Sequence, residues 1–320
     1  MRKKTYGMIT VIALAVTVIC SAYKEDEPAD KAALGRLLFF DPLLSKDKKV
    51  SCASCHQPGF AFADTAAVSR GVGGKKGTRN TPTAMNVRLQ KFFFLDGRAA
   101  TLEEQALAPI ENPVEMNLPV DEAVKRLQNS ERYRRYFKTI FNSEPSRDNL
   151  SAAIAAFERT LETSDSPFDN WKFNDDSTAV SAAVRRGFVL FNGKGKCIRC
   201  HFGSDFTANE FRNIGLFNGR NWNDSGRFVV TRKAEDIGRF KTPGLRNVGV
   251  TAPYMHNGRF RTLKAVIDFY NDTRKLVPDA VNTDSLLQKP LGLTITEKRD
   301  LEAFLLSLTD KQFKQRARRR

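Results

Sequence analysis

A mainly α fold, built from two similar helical modules in tandem, is what this sequence predicts. Three observations predict it. Apolar residues recur at helical spacing while period-two strands are scarce; two blocks of sequence repeat at a fixed offset; and each half carries the same five-residue cysteine-histidine motif.

The elements follow in chain order. Arg2, Lys3 and Lys4 precede a twelve-residue apolar core, Met8 to Ile19, which reads as an export signal over residues 1–22. Such a core is too short to span a membrane comfortably, and no later stretch is long and apolar enough. Cys20 ends the core, where a lipoprotein signal places its acylated residue, whereas Ala22 suits plain cleavage; both processings stay open, so the mature chain is expected to be periplasmic or lipid-anchored to the envelope. The first helix is expected over Lys31 to Phe40, stopping at Asp41-Pro42 because the residue before proline avoids helical geometry. Further helices are expected from Thr101 to Ala108, Asp148 to Thr163, Ser181 to Phe191, Thr262 to Asn271 and Thr296 to Leu308. The chain is long enough for two ordinary domains. These are placed at 23–165 and 166–310, joined through Glu162-Thr-Ser-Asp-Ser-Pro-Phe168, with a basic tail over 311–320.

Cys52-Ala-Ser-Cys55-His56 and Cys197-Ile-Arg-Cys200-His201 take four of the five cysteines and two of the three histidines. This is the signature of two covalently attached haems c. Each thiol adds to one haem vinyl group, a two-residue gap lets both reach one porphyrin edge, and the adjacent imidazole meets the iron. Zinc is the competing chemistry, but paired C-x-x-C zinc sites lie roughly 15–20 residues apart, and about 140 residues separate these two. A redox disulfide requires no following histidine, yet both copies have one. Two cytochrome c-like helical domains, each with one haem, are the economical architecture.

The repeat extends past the motifs. Thr81-Pro-Thr-Ala-Met-Asn86-Val87 matches Thr242-Pro-Gly-Leu-Arg-Asn247-Val248, and Gly97-Arg-Ala-Ala-Thr101-Leu102 matches Gly258-Arg-Phe-Arg-Thr262-Leu263, both at an offset of 161. The motifs are offset by 145, so the second copy holds sixteen extra residues between His201 and Thr242. Net charge is +16, and six basic residues crowd the last ten positions, which fits a solvated tail or a docking site for an acidic partner. No recognition motif accompanies the charge, which argues against nucleic acid.

Further segments join these: Leu34-Gly-Arg-Leu-Leu-Phe-Phe-Asp-Pro-Leu-Leu-Ser45, Arg79-Asn-Thr-Pro-Thr83, Asp96-Gly-Arg98, Val114-Glu-Met-Asn117, Ser166-Pro-Phe-Asp169 and Ala252-Pro-Tyr-Met-His-Asn-Gly258. In this order, and over nearly the whole mature chain, they resemble the bacterial diheme cytochrome c peroxidases and their MauG-type relatives, which oxidise residues of a partner protein. The resemblance implies a peroxidatic amino-terminal haem with His56 as proximal ligand and Gln105 and Glu115 on its distal side. A carboxyl group there can shuttle the proton whose transfer between the peroxide oxygens cleaves the bond. It implies an electron-relaying carboxy-terminal haem with His201 on one face and Tyr270 on the other, Met255 being the alternative; His256 is assigned a supporting place. It also implies one Ca2+ between the domains, held by the Asn80 side chain and the carbonyls of Thr251 and Pro253. Hydrogen peroxide is the implied substrate and a small acidic cytochrome or cupredoxin the implied donor, with a homodimer as one open assembly. Two rivals remain, a MauG-type oxidase and a non-catalytic electron carrier.

The register sharpens the contrast between the haems. Subtracting 161 from Tyr270 lands on Pro109, which cannot ligate iron. Tyrosine favours ferric and higher states and points toward the MauG type, whereas Leu95 stands where relatives carry a tryptophan between the haems. Residues 57–200 contain no histidine, so the distal histidine that gates many relatives is missing. The oxidised first haem should therefore give a high-spin electron paramagnetic resonance signal and react with peroxide without prior reduction; a low-spin bis-histidine signal would overturn this.

Overall fold

The computed structural model describes residues 27–313; the leader with Cys20 and Ala22, and the tail beyond Phe313, lie outside them. The described chain is mainly helical. Its helices are α1 (Lys31–Phe40), α2 (Cys52–Cys55), α3 (Leu102–Glu111), α4 (Val120–Gln128), α5 (Glu131–Phe141), α6 (Arg147–Arg159), α7 (Pro167–Phe173), α8 (Ala182–Asn192), α9 (Phe228–Thr231), α10 (Leu263–Asn271) and α11 (Ile295–Ser307). The only sheet among the described residues is one antiparallel pair, β1 (Phe211–Arg212) with β2 (Phe240–Lys241), in which Phe211 faces Lys241. None of these helices is long and apolar enough to cross a membrane.

Local chemistry starts and stops the helices. Asp30 caps α1 by accepting from the Ala33 amide at 2.8 Å, and the chain leaves the helix at Asp41 before Pro42. Thr101 and Glu104 form a capping box at the start of α3. This helix continues past the expected end at Ala108, through Pro109 to Glu111. Pro109 has no amide hydrogen, so the Gln105 carbonyl loses its intrahelical donor one turn before the loop that carries Glu115. Ser146 caps α6, which ends at Arg159 rather than Thr163, and Thr294 caps α11. Helices α4, α5 and α7 lie outside the sequence expectation; in α5 the buried Tyr133, Tyr136 and Phe137 fall on one face of an otherwise charged segment.

Two hydrophobic cores result. In the first, Leu34, Leu38 and Phe39 of α1 meet Leu150, Ala153, Ile154 and Phe157 of α6. In the second, Val184 and Phe191 of α8 meet Leu301, Phe304 and Leu305 of α11, with Phe168 of α7 beside them. Each crossing is set by a glycine. A Cβ on Gly35 would stand 1.8 Å from the Ala153 carbonyl oxygen, and one on Gly187 would stand 2.0 Å from that of Asp300.

Buried polar groups join the two halves. Arg79 reaches Asp96 at 2.6 Å and Asp224 through two bonds of 2.8 Å. Asn86 donates to Thr163 and Asp205. The Lys241 amide donates to the Leu95 carbonyl at 2.7 Å, while its ammonium donates to the Phe92 carbonyl at 2.8 Å and to the Gln90 amide oxygen.

The crossings give a sharp stability test. Gly35→Ala forces α1 and α6 apart and should lower unfolding stability by about 3 kcal/mol, read from the denaturant midpoint. Gly73→Ala, where a Cβ meets nothing within 4 Å, carries only the strain of its positive φ and should lose less.

Candidate haem-binding sites

Helix α1 ends at Phe40, and Pro42–Leu44 turns the chain so that α2 presents Cys52 and Cys55, followed by His56. The Nδ1 of His56 lies 3.0 Å from the Phe62 carbonyl oxygen. As an N–H donor there, Nδ1 fixes the tautomer and leaves Nε2 for a metal. Cys197–Arg199 forms the matching turn after α8, and the Nδ1 of His201 lies 2.9 Å from the Phe206 carbonyl. Burial lowers the basicity of both imidazoles, which keeps them neutral and able to ligate.

The four motif cysteines form no disulfide. Burial is the main cause that raises Cys52, Cys55 and Cys200, and it pushes Cys197 up to about 12. They stand as neutral thiols, unlike reactive or metal-bound cysteines, which are held as thiolates by nearby positive charge. At the first motif, thiols that line a hollow, with a neutral imidazole next in sequence, fit a covalently attached haem.

That hollow is a chamber enclosing about 1680 Å³ not filled by protein, its open mouth included. Cys52, Cys55 and His56 line it together with Gln105, Pro109 and Glu115. Glu115 is held on both sides: its carbonyl accepts the Val72 amide at 2.8 Å, and its carboxylate accepts from the Asn112 side chain at 2.6 Å. Burial raises its pKa, an effect that Arg98 and Asn112 partly oppose. Arg98 in turn lies 3.0 Å from Asp96 and over the Phe94 ring at 3.4 Å. The structure thus brings together the first motif, Gln105 and Glu115.

At the second motif, Tyr270 stands at the end of α10, where Cys200 and Cys197 are near enough to add to the burial that pushes its phenol up. Met255 packs in the same apolar cluster, with Trp222 and Phe260. His256 is stacked on Phe240 at 4.0 Å with an interplanar angle of 9°. Burial holds its pKa down at about 4, so it is neutral at pH 7. Its carbonyl accepts the Asn80 amide at 2.7 Å, which joins Asn80 to the loop carrying Thr251 and Pro253. The Asn80 side-chain nitrogen donates to the carbonyls of Ala66 and Ala67, leaving its amide oxygen for another partner. Among the described residues no cluster of three or more histidine, cysteine or acidic side chains could hold a metal ion, so a cation there would rest on amide and carbonyl oxygens.

Two chamber residues escaped the sequence reading. Lys241 enters from β2, with its pKa lowered to about 8 by burial, and Glu158 enters from α6. The signal for Glu158 was available: a carboxylate directly follows Phe157 on the apolar face of α6. Leu95 lines the chamber beside Phe93 and Phe94. Trp171 packs on Phe188 and Trp222 in the Tyr270 cluster, so neither indole takes the place of Leu95 in the chamber wall.

Comparison with known proteins agrees with this geometry. A family model described as di-haem cytochrome c peroxidase matches residues 29–177. The chain is 40% identical over 283 residues to the methylamine utilization protein MauG of Methylorubrum extorquens, covering 87% of this chain and 78% of that one. It is 39% identical over 245 residues to the cytochrome c551 peroxidase of Nitrosomonas europaea, covering 76% and 73%. Among solved structures, a MauG-like protein associated with microbial copper homeostasis superposes with a TM-score of 0.81 at 33% identity, over 88% of this chain and 92% of that one. The chain belongs to the di-haem cytochrome c peroxidase family and is a peroxidase oxidoreductase.

Proposed function

We propose that this protein reduces hydrogen peroxide to water at the first motif, with electrons passed from a small acidic cytochrome or cupredoxin through the second. One observation carries the reading: a single chamber gathers Cys52, Cys55 and His56 with Glu115 and Gln105 and contains no second imidazole. The second motif's cysteines instead lie close to the Tyr270 phenol. Residues 23–165 form the peroxidatic domain and 166–310 the electron-transfer domain, each holding one haem c. Residues 1–22 direct export to the periplasm, with either acylation at Cys20 or cleavage after Ala22. Asn80, Thr251 and Pro253 hold one Ca2+ where the domains meet.

When bound, the first haem supplies an open iron site to which peroxide can bind and from which it can draw electrons. The chain supplies everything else. His56 would hold the group, the orientation of its ring being fixed by the Phe62 carbonyl. Glu115, ionised, accepts the proton from one peroxide oxygen and returns it to the other, so that the departing atom leaves as water rather than hydroxide. The Asn112 bond keeps that carboxylate aimed. Gln105 presents an amide on the same wall. His201 and Tyr270 would together hold the second haem, which would suit it to electron transfer.

Tyr270 also favours a second reading. A phenolate ligand stabilises ferric and higher states, which suits a MauG-type oxidase acting on a partner protein. Sustained peroxide turnover with a reduced cytochrome distinguishes the first reading from the second.

Two variants test the assignments. Glu115→Gln should slow the peroxide-dependent absorption change by about a hundredfold or more, measured by stopped flow with one equivalent of peroxide. Because burial raises this carboxyl and the base form is the active one, the wild-type rate should rise with pH through a limb above the ordinary carboxylate range. That limb should vanish in the variant; an unchanged rate and pH profile would remove Glu115 from the chemistry. Tyr270→Phe should open the second haem, so that cyanide titration counts two binding sites per protein instead of one.

A further inference from the structure

Glu158 has no assigned part in the chemistry above. It is 6% exposed, lines the chamber from α6, and its Oε2 has no hydrogen-bond partner. Its neighbour Arg159 does not neutralise it, because that guanidinium is committed to Glu103 through bonds of 2.6 and 3.0 Å. The internal repeat shows that the carboxyl is not a requirement of the fold. Gly35 packs against Ala153 and Phe157, as Gly187 packs against Asp300 and Phe304, so the residue that answers Glu158 is Leu305, itself buried. An apolar side chain thus fills the place in the module whose haem is closed, and a carboxyl fills it in the module with the open chamber.

We propose that Glu158 is a second proton-holding carboxyl of the peroxide chamber, which supplies one of the protons that peroxide reduction consumes. The inference rests on the reading of the first module as the peroxidatic one. Reduction of one peroxide breaks the O–O bond and takes up two electrons and two protons to leave two waters. Glu115 only moves the proton that peroxide already carries. Glu158 gives one of the two additional protons, becomes a carboxylate, and is reprotonated from solvent through the chamber mouth; the electrons come from the external donor. Burial raises its pKa to about 8, so the group holds its proton and is neutral at pH 7. The groups that face it are Glu103 of α3, Arg159 of its own helix and Cys52 of α2.

Difference infrared spectroscopy of the two-haem holoprotein, first reduced by two electrons and then mixed with one equivalent of peroxide, tests this, with haem absorption followed in the same sample. In the wild type, a protonated-carboxyl C=O band should disappear as the haem absorption changes, then return. In Glu158→Gln, which mimics the neutral carboxyl and so keeps the fold, that band should be absent and the haem change slower by about a hundredfold, the low end for a positioned proton donor. The proposal is overturned if the band persists in Glu158→Gln, or if the wild-type haem reacts with no carboxyl change. Haem absorption reports on the peroxidatic reading and the carboxyl band on Glu158, so each can fail without the other.

Discussion

At Gly35 and Gly187, two pairs of helices approach so closely that a methyl group would overlap a carbonyl oxygen of the facing helix. Those contacts set the position of everything downstream. Each C-x-x-C-H segment follows the first helix of its pair, across residues 41–51 in the first half and 193–196 in the second, so the packing of that helix helps to place it. Four residues after each glycine, Phe39 and Phe191 are fully interior, and they anchor the helix end from which the motif departs. The histidine is then oriented by a backbone carbonyl a few residues on, Phe62 or Phe206. Side-chain packing brings the motif to depth, and one hydrogen bond aims it.

On this shared frame the two modules diverge at a few positions. Where one carries Pro109, the other carries Tyr270; where one carries Glu158, the other carries Leu305. Both differences push in the same direction. Pro109 and Glu158 line the chamber beside the first motif, while Leu305 and Tyr270 are packed into the apolar clusters of the second half. Desolvation then acts on both sides: in the chamber it raises the Glu115 and Glu158 carboxyls, and at the second motif it keeps the His201 imidazole neutral.

Much of this was legible in the sequence because it is written in local chemistry. Helices α1, α3, α6, α8, α10 and α11 announce themselves by caps and apolar spacing, and their expected limits differ from the observed ones by a few residues at most. Cys52, Cys55 and His56 line one chamber with Glu115 and Gln105, the residues that the resemblance groups around the first haem. What escaped is equally instructive. Helix α5 was hidden because Glu131, Arg132, Arg134 and Arg135 crowd the segment around its three buried aromatics. The extension of α3 past Pro109 breaks the usual rule for proline and goes with bonds from the loop that follows: the Pro109 carbonyl accepts the Met116 amide, and that of Ile110 accepts Leu118. Long-range pairs such as Arg79 with Asp224 leave no trace in local spacing.

Those long-range pairs decide who owns the chamber. Lys241, Pro243 and Gly244, all from the second half of the chain, form part of its wall, and Arg79 ties that half to Asp96 of the first. The chamber is therefore a composite. The sequence repeats one module, but the chamber belongs to neither copy alone: residues of the later copy complete the wall around the first motif, so a side chain altered in either half can reshape it.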